Sequence, residues 1–135
     1  MVMFLRLQTD GGARGNPGPA GIGVVIKNAQ GEIVEQQAKF LGITTNNQAE
    51  YRAVILGLER CLALGGTEVE VVADSELLIK QAMGEYRVKH PDLQIRFREM
   101  KRLEAQFQGV RYRHVRRAFN TEADALANEA MDRRG

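Results

Sequence analysis

Apolar positions recur with a short, near-alternating period over the first forty residues and with a helical period from residue 47 onward. Met3 to Asp10 is apolar-rich and runs into Gly11-Gly12 and a Gly/Pro loop, which predicts a strand ending at Asp10. Gly21 to Lys27 and Glu32 to Phe40 are β-like runs joined by Asn28-Ala29-Gln30-Gly31, a turn that predicts a hairpin. Tyr51, Val54, Ile55, Leu58, Cys61 and Leu62 then mark one helix face, closed by Gly65-Gly66. Beyond it the pattern predicts a strand over Glu68 to Asp74 and helices over Ser75 to Met83 and Pro91 to Gln106. A strand over Val110 to His114 and a last helix over Thr121 to Met131 complete it.

Short turns make the first three strands antiparallel, whereas helical crossovers make the later two parallel. The expected fold class is therefore α/β: a mixed five-stranded sheet flanked by helices, in a single domain over residues 1–135. Ligands in such sheets gather at the carboxyl ends of the central parallel strands, where Asp10 and Asp74 are expected.

Composition narrows the class. The chain is 44% hydrophobic and 27% charged, values of a globular protein rather than a disordered one. Cys61 is the single cysteine, which excludes an internal disulfide or a multi-cysteine zinc site and makes a reducing, cytoplasmic setting the expectation. The apolar start is too short for a membrane span, is broken by Arg6, and lacks a signal-peptide pattern. Net charge is +2, yet Arg87 to Arg117 holds ten Lys or Arg against three acids, a distribution suited to a polyanion or to a solvated surface.

Four acids fall at predicted element boundaries: Asp10, Glu50, Asp74 and Asp124. Each has a plain structural alternative. Asn47 with Glu50 and Thr121 with Asp124 have capping-box spacing, Asp74 could cap the following helix, and Asp10 could open a turn. Gathered at one sheet end, the four would repel one another and call for a cation. Oxygen donors without cysteine favour Mg²⁺ or Mn²⁺ over zinc, and two ions roughly 4 Å apart can drive in-line phosphodiester hydrolysis.

Four separated motifs agree with one family: Thr9-Asp10-Gly11-Gly12 with Gly15-Asn16-Pro17-Gly18-Pro19-Ala20-Gly21; Thr44-Thr45-Asn46-Asn47-Gln48-Ala49-Glu50; Asp74-Ser75; and Asn120 ahead of Asp124-Ala125-Leu126-Ala127. The chain resembles type I ribonuclease H over nearly its whole length. The resemblance implies the ribonuclease H-like fold and endonucleolytic cleavage of the RNA strand of an RNA/DNA hybrid, leaving 5′-phosphate and 3′-hydroxyl ends. It implies a catalytic quartet at Asp10, Glu50, Asp74 and Asp124 holding two Mg²⁺ ions, with Mn²⁺ as substitute and the Gly11 backbone as a further ligand. It also implies hybrid contacts at Gly11, Gly12, Asn16, Asn46, Asn47, Gln48, Ser75 and Arg117, with Asn120 orienting the site.

Amide side chains suit the 2′-hydroxyls of a shallow minor groove. Double-stranded RNA shares those features and stays an alternative substrate. His114 has the spacing of a family histidine that assists proton transfer or product departure, although Val115-Arg116-Arg117-Ala118-Phe119 replaces the usual Gly/Pro-rich loop. The Trp-rich basic protrusion of several relatives is absent, leaving Arg87, Lys89, Arg96, Arg98, Lys101 and Arg102 as candidate phosphate contacts. No membrane association or obligate protein partner is expected, and a monomer is the default. Two rivals are weaker. The glycine loop lacks the Gly-Lys-Ser/Thr ending of a nucleotide-binding loop, and a non-catalytic hybrid binder would not need all four acids.

Overall fold

The computed structural model describes residues 1–134; Gly135, the last residue of the expected domain, lies outside them. Its five strands are β1 (Phe4–Ala13), β2 (Gly18–Lys27), β3 (Ile33–Thr44), β4 (Glu68–Ala73) and β5 (Gly109–His114). The helices are α1 (Asn46–Ala63), α2 (Glu76–Ala82), α3 (Pro91–Glu104) and α4 (Thr121–Arg133), the last preceded by a 3₁₀ turn at Arg117–Phe119. The sheet order is β3-β2-β1-β4-β5; β1 is antiparallel to β2 and parallel to β4, and β4 is parallel to β5. The expected mixed sheet is thus present.

The first hairpin is longer than expected. β1 does not stop at Asp10 but continues through Gly11 and Gly12, with Asp10 opposite Gly23 and Ala13 opposite Ala20. β2 correspondingly starts at Gly18, and β3 runs on to Thr44 across a register shift at Ala20/Gly21. Glycine is a poor strand former, but ladder pairing and close helix packing outweigh that preference here.

One face of the sheet carries the main core. Leu5 and Leu7, Val24 and Ile26, and Val69 and Val71 pack beneath Tyr51, Val54, Leu58 and Cys61 of α1 and Met100 of α3, all almost fully buried. Each aliphatic side chain so buried contributes roughly 1.5–3 kcal/mol relative to exposure. The opposite face is covered over β2 by α4, whose small Ala123, Ala127 and Ala130 sit against the sheet glycines. Past α4 the same face lies open over β1, β4 and β5, where Glu70 joins Arg6 at 2.8 Å and Arg113 at 3.3 Å. Among the described residues no helix is long and apolar enough to cross a membrane.

Candidate active site

Parallel pairing of β1 with β4 ends at Thr9 opposite Ala73, so Asp10 and Asp74 are the next residues out, side by side. Two glycines bring the helices to them. A Cβ on Gly11 would lie 2.5 Å from the backbone of Ala49 and 2.7 Å from Glu50 N, so its absence lets α1 deliver Glu50 to the strand end. A Cβ on Gly23, the residue opposite Asp10, would lie 2.1 Å from Ala123 O, so its absence seats the first turn of α4 and Asp124. Asp10, Glu50, Asp74 and Asp124 all line one open cleft of about 610 Å³.

The structural alternatives for these acids do not hold. Thr45 caps α1, its Oγ1 accepting from Gln48 N at 3.2 Å, and Glu50 falls beyond the first turn rather than in a capping box with Asn47. Ser75, not Asp74, caps α2 by accepting from Leu78 N at 3.2 Å. Asn120 precedes α4 without a side-chain cap; its Nδ2 instead donates to Thr9 O at 2.8 Å. That buried bond ties the start of α4 to the strand carrying Asp10, while Asn120 Oδ1 has no donor among the described residues. Thr121 is not a cap, and Asp124 is free to face the cleft.

The cluster is electrostatically strained. Burial, followed by the charges of Asp74 and Asp124, pushes the Asp10 carboxyl up to about 8. Burial pushes Glu50 up to about 7, with Asp74 adding to the rise and a hydrogen bond from Ser75 opposing it. Asp74 is also raised, mainly by burial, with Arg117 pulling the other way. Arg117 Nη2 reaches Asp124 Oδ1 at 3.2 Å. Arg117 does not cancel the rise at Asp74, and Arg14, which also lines the cleft, is held by Asp132 at 2.6 Å. The donors are oxygens, the preference of hard divalent ions. Among the described residues no three Asp, Glu, His or Cys side chains enclose an ion by themselves, so water and substrate oxygens would have to complete any shell.

The expected substrate contacts divide into two groups. Gly11, Gly12, Asn46, Asn47 and Arg117 line the carboxylate cleft. Asn16, Asn47 and Gln48 line an adjoining groove of about 510 Å³ bounded by His90 and Arg96. Several of these side chains also build the site. Asn46 Oδ1 accepts from Ala13 N at 2.7 Å, Asn16 Oδ1 accepts from Asn46 N at 3.0 Å, and Gln48 Oε1 accepts from Arg96 Nε at 3.0 Å. Ser75 serves α2 and Glu50, and Asn120 is buried away from the cleft surface.

His114 ends β5 opposite Ala73, exposed and outside the residues lining the cleft. Arg14 and Asn128, which pattern reading passes over, do line it. Asn128 stands one helical turn after Asp124 and donates to its carbonyl at 3.0 Å, a spacing that could have flagged it.

The profile of the reverse transcriptase-like family matches residues 8–130. The chain belongs to the type I ribonuclease H family. It is 47% identical over 131 residues to the bifunctional protein Rv2228c of Mycobacterium tuberculosis, a match covering 96% of this chain and 36% of that protein. It is 43% identical over 123 residues to ribonuclease HI of Halobacterium salinarum, covering 91% of this chain and 62% of that one. The chain thus spans about a third of the first relative and less than two thirds of the second. Among solved structures, LC11-RNase H1 in complex with an RNA/DNA hybrid superposes with a TM-score of 0.91 at 42% identity, over 98% of each chain. The ribonuclease H fold and strand order found here agree with that membership.

Proposed function

We propose that this ribonuclease H-family chain is an endoribonuclease that hydrolyses the RNA strand of RNA/DNA hybrids with two bound Mg²⁺ ions, Mn²⁺ substituting. The observation carrying this reading is the convergence of Asp10, Glu50, Asp74 and Asp124 on one cleft, with Asp10 pushed up to about 8 by burial and its like-charged neighbours. Such a cluster disfavours its own ionisation and is relieved by cations. The relative captured with a hybrid supports the choice of substrate.

In this reading Asp10, Glu50, Asp74 and Asp124 would hold the ions, whose chemistry when bound would be activation of a water and stabilisation of the leaving oxygen. Water attacks phosphorus in line, the bond to the 3′ oxygen breaks, and the products carry a 5′-phosphate and a 3′-hydroxyl. Asn120 and Ser75 fix the positions of the carboxylates; Asn16, Asn46, Asn47 and Gln48 meet the minor groove, where 2′-hydroxyls mark the RNA strand. Arg117, exposed beside Asp124, would meet a phosphate.

Gel-resolved cleavage of an end-labelled hybrid in Mg²⁺, Mn²⁺ or EDTA tests this. RNA-strand fragments that require a divalent ion, vanish with Asp74→Asn and are not produced from a DNA duplex are expected. Retention of the hybrid without fragments would make the chain a binder.

A further inference from the structure

On the face past α4 lies a further cleft, of about 400 Å³, bounded by Arg6, Arg113, Arg116 and Phe119. The 115–120 segment separates it from the carboxylates: Arg117 turns toward Asp124 and Asn120 toward Thr9, while Arg116 and Phe119 line this side. Three features point to a ligand. Its volume falls in the range of small-ligand sites. Its walls combine the apolar Val72 and Val115 with Phe119, a ring left 71% exposed although aromatic surface of that size is usually buried. Its floor includes Gln8, only 7% exposed, whose Oε1 has no hydrogen-bond donor among the described residues.

The rim decides the ligand's charge. Lys27 is held by Glu122 at 2.7 Å, and Arg6 and Arg113 share Glu70. Arg116 is not among the arginines paired with a carboxylate, and no acid lines the cleft, among the described residues. An anion carrying a flat, partly apolar group with N–H donors satisfies every part: the ring takes the flat group, the arginine takes the anion, and Gln8 takes a donor after a small turn of its amide.

We propose that this cleft binds one nucleotide of a single-stranded nucleic acid, its base packed on Phe119 and its phosphate on Arg116. A base stacked on an aromatic side chain with arginine beside the backbone is the usual way single strands are gripped without sequence preference. The site lies across the 115–120 segment from the cleavage cleft, so a strand that continues past a hybrid's end would find a hold there.

Binding of a short fluorescein-labelled oligothymidylate, followed by anisotropy at low salt, tests this with Phe119→Ala and Arg116→Glu. Phe119→Ala is expected to weaken binding by roughly tenfold, the scale of one lost base–aromatic stack, and Arg116→Glu by at least as much because it sets a carboxylate against the phosphate. Cleavage of a short blunt hybrid serves as a separate readout and is expected to stay unchanged, so failure of the cleavage reading would show there alone. In the wild type, the oligothymidylate is expected to shift the Gln8 side-chain amide signal in nitrogen–proton spectra. Unchanged affinity in both variants would overturn the proposal, as would shifts confined to Asn46 and Glu50. Equal binding of a poly-glutamate peptide would reduce the cleft to a charge patch and would also overturn it.

Discussion

Leu7 and Asp10 lie three residues apart on β1 and face opposite environments. Leu7 is fully buried among Val24, Val71, Val54 and Leu58, where every neighbour favours its burial. Asp10 is half-buried among Asp74, Asp124 and Glu50, where burial and neighbours both oppose its charge. The same strand therefore carries a region arranged for stability and one arranged against it. Strain of this kind concentrates where a protein binds or reacts.

Single substitutions at Asp10 and Leu7 are expected to move stability in opposite directions. Asp10→Asn is expected to lower hybrid cleavage by roughly 10³-fold or more, the scale of losing a central electrostatic group. The same change is expected to raise stability without metal at neutral pH, because an uncharged amide replaces a carboxyl whose ionisation burial and like-charged neighbours oppose. Leu7→Ala is expected to lose about 2–5 kcal/mol through its cavity. Urea melts of both variants beside cleavage assays measure this; an Asp10→Asn protein less stable than the parent would break the contrast.

Next in size is the helix seating. Gly23→Ala places a methyl against Ala123 O and is expected to cost roughly 1–3 kcal/mol by overpacking while lowering activity, because Asp124 moves with the helix. Gly109→Ala, where a Cβ meets nothing within 4 Å, is the matched control and is expected to change stability by less than about 0.5 kcal/mol. Equal effects of the two would remove the packing role of Gly23.

A pH series sharpens the same contrast. The folded-state pKa values of Asp10 and Glu50, about 8 and about 7, lie above their ordinary 3.8 and 4.5, so the metal-free fold holds protons that the unfolded chain has released. Their contribution is fully present below about pH 4 and is lost as pH rises through about 8. Melting in EDTA is therefore expected to fall from pH 5.5 to pH 8.5, and Asp10→Asn to flatten the slope. A melting temperature rising over that window in the parent would contradict the assignment. The smallest effect expected is that of His114→Ala, a severalfold loss of turnover with divalent dependence kept; unchanged turnover would leave His114 as an exposed strand end.

Much of this architecture is legible in the sequence because periodicity reports burial directly. The face Tyr51, Val54, Leu58, Cys61 marks α1, and the change from alternation to helical spacing marks the change from antiparallel to parallel pairing. Glycine is where local pattern misleads. Gly11-Gly12 reads as a breaker but is strand, and at Gly11 the space without a Cβ is used by Ala49 and Glu50 of a helix met only in three dimensions. Capping was ambiguous for a related reason: Thr45 and Asn47, or Asp74 and Ser75, differ by one or two positions, a shift local preference does not resolve. The four acids were legible as boundary residues. Arg117 opposite Asp124, the buried Asn120–Thr9 bond and the cleft under Phe119 depend on contacts between distant segments.

Calorimetric titration of Mg²⁺ at pH 7, in two buffers of different ionisation enthalpy, decides whether the carboxylate cluster is a divalent-cation site. Binding with proton release, seen as a buffer-dependent heat, is expected, with a clear reduction of both in Asp10→Asn. Absence of Mg²⁺ binding by the native chain, or the same proton release from Asp10→Asn, would contradict it.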